Sequence, residues 1–170
     1  YEYARATRSP FITTSLAGSD QPWDLLLPQL DQAGRVAADH GLVFTYHNHA
    51  QEFAGTPAPT AFDRLSGETD PALVRLELDI GWARKAGLDP MALWRRHGAR
   101  VPQIHLRDYD SAKKEICDIG DGFIDVSQVL AQACELRTQW LIYEQDRFPV
   151  DAITSSRVCM DRIRAAQGRA

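Results

Sequence analysis

The chain has 170 residues, 44% of them hydrophobic and 25% charged, with a net charge of −4 and a sequence pI near 5.7. This is the composition of an ordinary globular domain with one core; its scattered Lys and Arg argue against a nucleic-acid-binding surface. No apolar run approaches the roughly 20 residues that cross a bilayer, so no membrane span is expected, and no signal-peptide pattern is present. The three cysteines, Cys117, Cys134 and Cys159, are widely spaced and form no CxxC. Free thiols in a reducing cytoplasm are the expectation. The chain begins at Tyr1 rather than Met, as expected of a processed, trimmed or incomplete sequence.

In chain order, short apolar strands alternate with helical patterns. Residues 9–16, SPFITTSL, are β-branched and read as a strand. Asp20 is placed to cap a helix with Pro22 in its first turn. Leu26, Leu27, Leu30, Ala33, Val36 and Ala37 form that helix's apolar face, and Gly41 stops it. A strand over 42–49, a helix near 59–67 and a strand over 72–82 come next. Asp89-Pro90 starts a short helix that Gly98 ends, and 101–108 is the next strand. Residues 109–123 read as an irregular excursion leading to Asp125, a cap for a helix faced by Val126, Val129, Leu130 and Ala133. A strand over 139–146 and a helix capped by Asp151 complete the pattern. Strand–helix alternation at this spacing predicts βαβ units, a parallel sheet and a single domain over 1–170.

Side chains two apart on a strand share a face. That parity puts Val43, Thr45, His47 and His49 on one face, Arg75, Glu77 and Asp79 on one, Gln103, His105 and Arg107 on one, and Trp140, Ile142, Glu144 and Asp146 on one. Buried parallel strands are normally apolar on both faces. Here four successive strands carry ionisable groups at their C-terminal ends, where parallel α/β folds keep their active sites. His47, His49, Asp79, His105 and Glu144 are therefore expected around one pocket. Imidazole and carboxylate together suit a divalent ion: Mg²⁺ or Mn²⁺ for oxygen-rich sets, Zn²⁺, Co²⁺ or Fe²⁺ as imidazole is added. Glu77 and Arg75 are expected as a structural ion pair. Trp82 either stacks on a sugar ring or packs at the rim.

Taken together, YHNHAQEF, LELDIGWARKAGLDP, IHLRDYD, IGDGFID and IYEQD resemble the sugar phosphate isomerase/epimerase family, xylose isomerase-like (β/α)8 TIM barrels that include inosose dehydratase. The resemblance spans about residues 9–165. It implies a metal-dependent isomerase, epimerase or dehydratase acting on a sugar, sugar phosphate or keto-inositol by proton transfer next to a carbonyl. It implies a divalent metal, Mn²⁺, Mg²⁺, Co²⁺ or Zn²⁺, held by one residue from each of four strands. Asp79, His105 and Glu144 fall on the last three ligand positions. His47 stands where the family often has the Glu of an ENH motif, and His49 matches a pocket histidine. Glu144 or His49 is then the base. Arg107, replacing a common lysine, and Trp82, Glu52 and Asp108 are candidates to contact substrate, with Asp108 and Asp146 also placed to orient ligands. The Gly120–Gly122 turn is a candidate pocket loop, though an ordinary turn is the simpler reading.

Two departures stand out. One of the family's paired glutamates is absent, which disfavours a two-base epimerase. The barrel needs about 250 residues, and the motifs assign the five strands to positions four through eight, with the first three missing. A fragment of a longer chain is expected, or a homo-oligomer that completes the sheet. Two rival readings are a non-catalytic barrel fragment serving in binding or assembly, and an apurinic endonuclease-like hydrolase. The latter needs a histidine where Trp82 stands.

Overall fold

A computed structural model describes residues 1–16, 21–55 and 59–168. Asp20, the expected helix cap, lies outside the described residues. The chain divides into two compact units, Tyr1–Leu78 and Asp79–Ala170.

The first unit runs α1 (Glu2–Ala6), β1 (Phe11–Thr14), α2 (Trp23–Asp39), β2 (Val43–His47), a 3₁₀ turn at Ala50–Phe53, α3 (Ala61–Glu68) and β3 (Val74–Asp79). The last residue of β3 opens the second unit. The three strands pair in parallel, Phe11 beside Val43 and Phe44 beside Val74. Pro22 is the N-cap of α2 rather than a residue of its first turn. Gly41, at φ 71°, ends the helix in a conformation that costs other residues more. Leu26, Leu27, Leu30 and Ala37 are buried as the periodicity predicts. So is Gly34, because α2 packs there against the β3 approach: a Cβ on Gly34 would lie 2.6 Å from the Leu73 carbonyl oxygen.

The polar strand face of this unit is hydrogen-bonded across its strands, with Thr45, His47 and Glu77 buried and Thr13 exposed on β1. Thr13 Oγ1 donates to Glu77 Oε2 at 3.0 Å and lies 2.7 Å from Thr45 Oγ1. Glu77 also meets His47 Nδ1 at 3.2 Å. The carboxylate expected to pair with Arg75 is thus held by Thr13 and His47, and Arg75 Nη1 donates to the Pro71 carbonyl at 3.4 Å. The reason is exposure. Glu77 is 5% exposed, whereas Arg75 reaches outward to a more solvated acceptor.

The second unit comprises α4 (Ile80–Lys85), α5 (Pro90–His97), β4 (Gln103–Leu106), β5 (Asp108–Asp110), β6 (Glu115–Cys117), α6 (Val126–Glu135), β7 (Trp140–Tyr143) and α7 (Ala152–Gln167). β4 and β7 are parallel, with Ile104 beside Leu141. Trp94, Ile104, Ile119 and Val129 are core residues. Asp89, Asp125 and Asp151 each accept two backbone amides and cap their helices, as their positions predict. All three cysteines are free thiols, Cys117 and Cys159 buried and Cys134 exposed. No helix among the described residues is long and apolar enough to cross a membrane.

Two expectations change here. The strand read over 72–82 stops at Asp79, and Ile80, Gly81 and Trp82 belong to α4. The excursion after β4 contains an antiparallel hairpin, β5 against β6, with Asp108 beside Cys117 and Asp110 beside Glu115. Asp108 anchors the segment beyond the hairpin. Its Oδ1 accepts from Tyr109, Phe123 and Ile124 N–H at 2.8, 2.8 and 3.2 Å. Its Oδ2 accepts from Gly120 and Gly122 N–H at 2.8 and 3.1 Å. A side chain expected at the substrate is 1% exposed and bound to five backbone amides. It builds the Gly120–Gly122 turn.

Two substitutions test this packing. Gly34→Ala is expected to cost about 1–3 kcal/mol, because backbone rather than a flexible side chain must yield. Asp108→Ala is expected to cost about 3 kcal/mol or more, since it strips charge-assisted acceptors from buried amides. Urea unfolding of each variant against wild type measures both.

Candidate active site

In the second unit Asp79, His105 and Glu144 converge. Asp79 ends β3, His105 lies on β4 and Glu144 directly follows β7. Each offers one ligand atom within 4.8 Å of the others. His105 Nδ1 meets Glu144 Oε2 at 2.5 Å. The position of Glu144 comes from the parallel pairing: its N–H donates to the Leu106 carbonyl at 3.2 Å, extending the ladder one residue beyond the strand.

Asp79 has two duties. Its Oδ1 accepts the Trp82 N–H at 2.8 Å and caps α4, while its Oδ2 accepts Arg107 Nε at 2.9 Å. Arg107 Nη2 reaches Glu144 Oε1 at 2.7 Å, and Nη1 reaches Asp146 Oδ1 at 3.1 Å. The guanidinium also lies 4.8 Å from the Trp82 ring centroid, and Lys85 Nζ lies 4.4 Å from it. Arg107, a candidate to hold a substrate group, is 2% exposed, and its donors face carboxylates. Burial alone lowers its pKa, but Asp79, then Glu144 and Asp146, outweigh that and hold it above its ordinary value. Trp82, expected to stack on a sugar or pack at the rim, packs as the platform beneath two cations. Gly81 makes this arrangement feasible, because a Cβ there would lie 2.4 Å from the Arg107 carbonyl oxygen. Sequence reasoning misses Gly81 and Lys85. The available signal is the Asp79-x-x-Trp82 cap pattern followed by Arg84 and Lys85 at the end of a short helix.

The first unit positions His47, His49 and Glu52. His47 ends β2 in register with Glu77 and is 7% exposed. The His47 and His49 rings meet edge-on with centroids 4.9 Å apart. His49 Nδ1 is 3.2 Å from Ser15 Oγ. Glu52, a candidate for substrate contact, is 1% exposed. Its Oε1 accepts the Tyr46 hydroxyl at 2.8 Å and its Oε2 the His49 N–H at 2.8 Å. It fixes the His49 backbone. Burial, then Glu52, pushes the Tyr46 hydroxyl pKa well above its ordinary range.

The donors suit a divalent ion. One imidazole and two carboxylates lie within 4.8 Å, slightly wider than the roughly 4.4 Å that two bonds of about 2.2 Å can reach, so a small inward movement of these side chains would bring them onto one ion. A cavity of about 590 Å³ opens at Asp146, lined also by Lys113, Glu115, Cys117, Arg147 and Phe148. Asp146 joins it to Arg107. The Glu144 carboxyl is held down at about 2 by its hydrogen bond to His105 and then by Arg107, against the opposing effect of burial. Because the folded value is depressed, the stabilisation is complete above the ordinary value of 4.5 and lost as pH falls through about 2. Denaturant titration of wild type and Glu144→Gln is therefore expected to show a stability gap at pH 5 that closes toward pH 2.

The model of the xylose isomerase-like TIM barrel family matches residues 2–162. An inosose dehydratase of Geobacillus kaustophilus is 32% identical over 165 residues, covering 85% of this chain and 52% of the relative. An inosose dehydratase of Salmonella typhimurium is 30% identical over 149 residues, covering 77% and 49%. The chain spans about half the length of these curated relatives. A solved sugar phosphate isomerase/epimerase from Parabacteroides distasonis has a TM-score of 0.73 at 21% identity, over 94% of this chain and 63% of that one. At that identity the likeness is one of fold, and it agrees with the strand–helix units described above. The chain belongs to the xylose isomerase-like TIM barrel family.

Proposed function

We propose that the chain is part of a metal-dependent enzyme that moves a proton next to the carbonyl of a carbohydrate, with a keto-inositol as the favoured substrate class and loss of water as the favoured outcome. The observation that carries this reading is the convergence of Asp79, His105 and Glu144 donor atoms within 4.8 Å at strand C-termini. The relatives named inosose dehydratase support the substrate class. In this reading the matched residues 2–162 belong to a single barrel domain.

Asp79, His105 and Glu144 would hold the ion, with His47 as fourth ligand. His47 pairs in register with Glu77, and Asp79 lies two residues beyond Glu77 on the same strand face. A bound divalent ion supplies Lewis acidity to the substrate carbonyl and its neighbouring hydroxyl. Glu144 is ionised at neutral pH and accepts the proton from the adjacent carbon. Its depressed pKa makes it a weak base, so the carbon acid must be strongly activated. His49, held by Ser15 and Glu52, serves as the second proton carrier and returns a proton to a departing hydroxyl as water. A single carboxylate base favours this outcome over two-base epimerisation. The cavity beside Asp146 has room for the hydroxyls remote from the reacting carbons.

The test spares Asp79, whose loss would also uncap α4. Purified chain incubated with Mn²⁺, Co²⁺ or Zn²⁺ is expected to retain about one equivalent by mass spectrometry, and His105→Ala to bind on the order of a hundredfold more weakly. Incubation with an inosose should yield a product lighter by one water, lost in Glu144→Gln. A product of unchanged mass carrying solvent deuterium would instead mark isomerisation or epimerisation. A wild-type chain that retains no ion would sink the metal reading.

A further inference from the structure

Every carboxylate oxygen of Asp79 and Glu144 already has a partner. Trp82 N–H and Arg107 Nε take the two oxygens of Asp79, while Arg107 Nη2 and His105 take those of Glu144. Two anions that would repel across a few ångströms are thus bridged by one buried cation, 2% exposed. That cation is fixed in place by the Trp82 ring at 4.8 Å, by Asp146 at 3.1 Å and by the close approach of Gly81 to its backbone. The fork needs a guanidinium, because an ammonium has no spaced donors to reach three carboxylates at once.

On the metal-site reading above, we infer that Arg107 is the resident counter-cation of the strand-end carboxylates and sets how tightly the site takes a divalent ion. It acts in two opposed ways. It holds Asp79 and Glu144 together without an ion, so the donors are organised in advance. It also neutralises one of their two negative charges, so an arriving dication meets a site of reduced charge. The second effect dominates, because a cation a few ångströms from a dication costs more than the ordering of two short carboxylate side chains saves. Arg107 is a positioning residue, and its influence appears in ion affinity before it appears in turnover.

The test is calorimetric titration of the full chain with Mn²⁺, together with melting curves in its presence and absence, for wild type, Arg107→Gln and Arg107→Lys. Arg107→Gln removes the charge. It is expected to bind Mn²⁺ at least about tenfold more tightly, to melt lower without the ion and to gain more from it than wild type. Arg107→Lys keeps the charge and loses the fork. It is expected to stay within about threefold of wild type in affinity while melting lower without the ion, and it serves as the control if Arg107→Gln is poorly folded. Equal or weaker Mn²⁺ binding by a folded Arg107→Gln would overturn the inference while leaving the metal site intact. If Arg107→Gln does not fold, tenfold tighter or weaker binding by Arg107→Lys would do the same. Absence of Mn²⁺ binding in all three proteins would remove the metal reading and the inference with it.

Discussion

The buried carboxylate of Asp79 governs the second unit's chemistry. One oxygen begins α4 and the other holds Arg107. A charged group at 0% exposure is tolerable only if both oxygens are satisfied by donors of the right sign. Several contacts of the unit gather around this one. The cap turns the chain sharply after β3. Gly81 brings α4 against the Arg107 backbone, and Arg107 then ties Glu144 and Asp146 to the same point. Breaking such a buried pair costs about 3–5 kcal/mol, a large share of the stability of any single domain.

The strand ends are legible in the sequence because charge on a buried strand is costly and therefore informative. Parity alone puts His105 and Arg107 on one face and singles out Asp79 and Glu144. The three aspartate caps at Asp89, Asp125 and Asp151 are equally legible, since a cap is a local event read within three residues. Family resemblance supplies what local pattern lacks, namely the barrel type and the pairing of ligand positions across distant strands.

The rest is hidden for identifiable reasons. Asp79 serves strand and helix alike, so the pattern reads three residues too long as a strand. The β5–β6 hairpin has only three residues on each strand, and its acidic and lysine-rich sequence carries little β preference. Glu52 and Asp108 resemble substrate contacts because exposed acids near a strand end often are. Their hydrogen bonds to Tyr46 and to backbone amides as far away as Ile124 are invisible at that level. No spacing rule reports a carboxylate whose partners are amides of a folded loop.

The Asp108 anchorage has a consequence for how the mouth of the site can vary. Four of its five amide bonds secure the far end of the excursion, from Gly120 to Ile124, to the residue where the excursion begins. The tip between them, Ser111–Lys114, is exposed and carries none of that anchorage. The excursion behaves as a clasp whose closure is independent of its length. Residues can be exchanged or inserted at the tip, remodelling the wall beside Lys113 and Phe148, while β4, His105 and Arg107 keep their places. The shape of that wall and the geometry of the strand ends are thereby uncoupled within one short segment of chain.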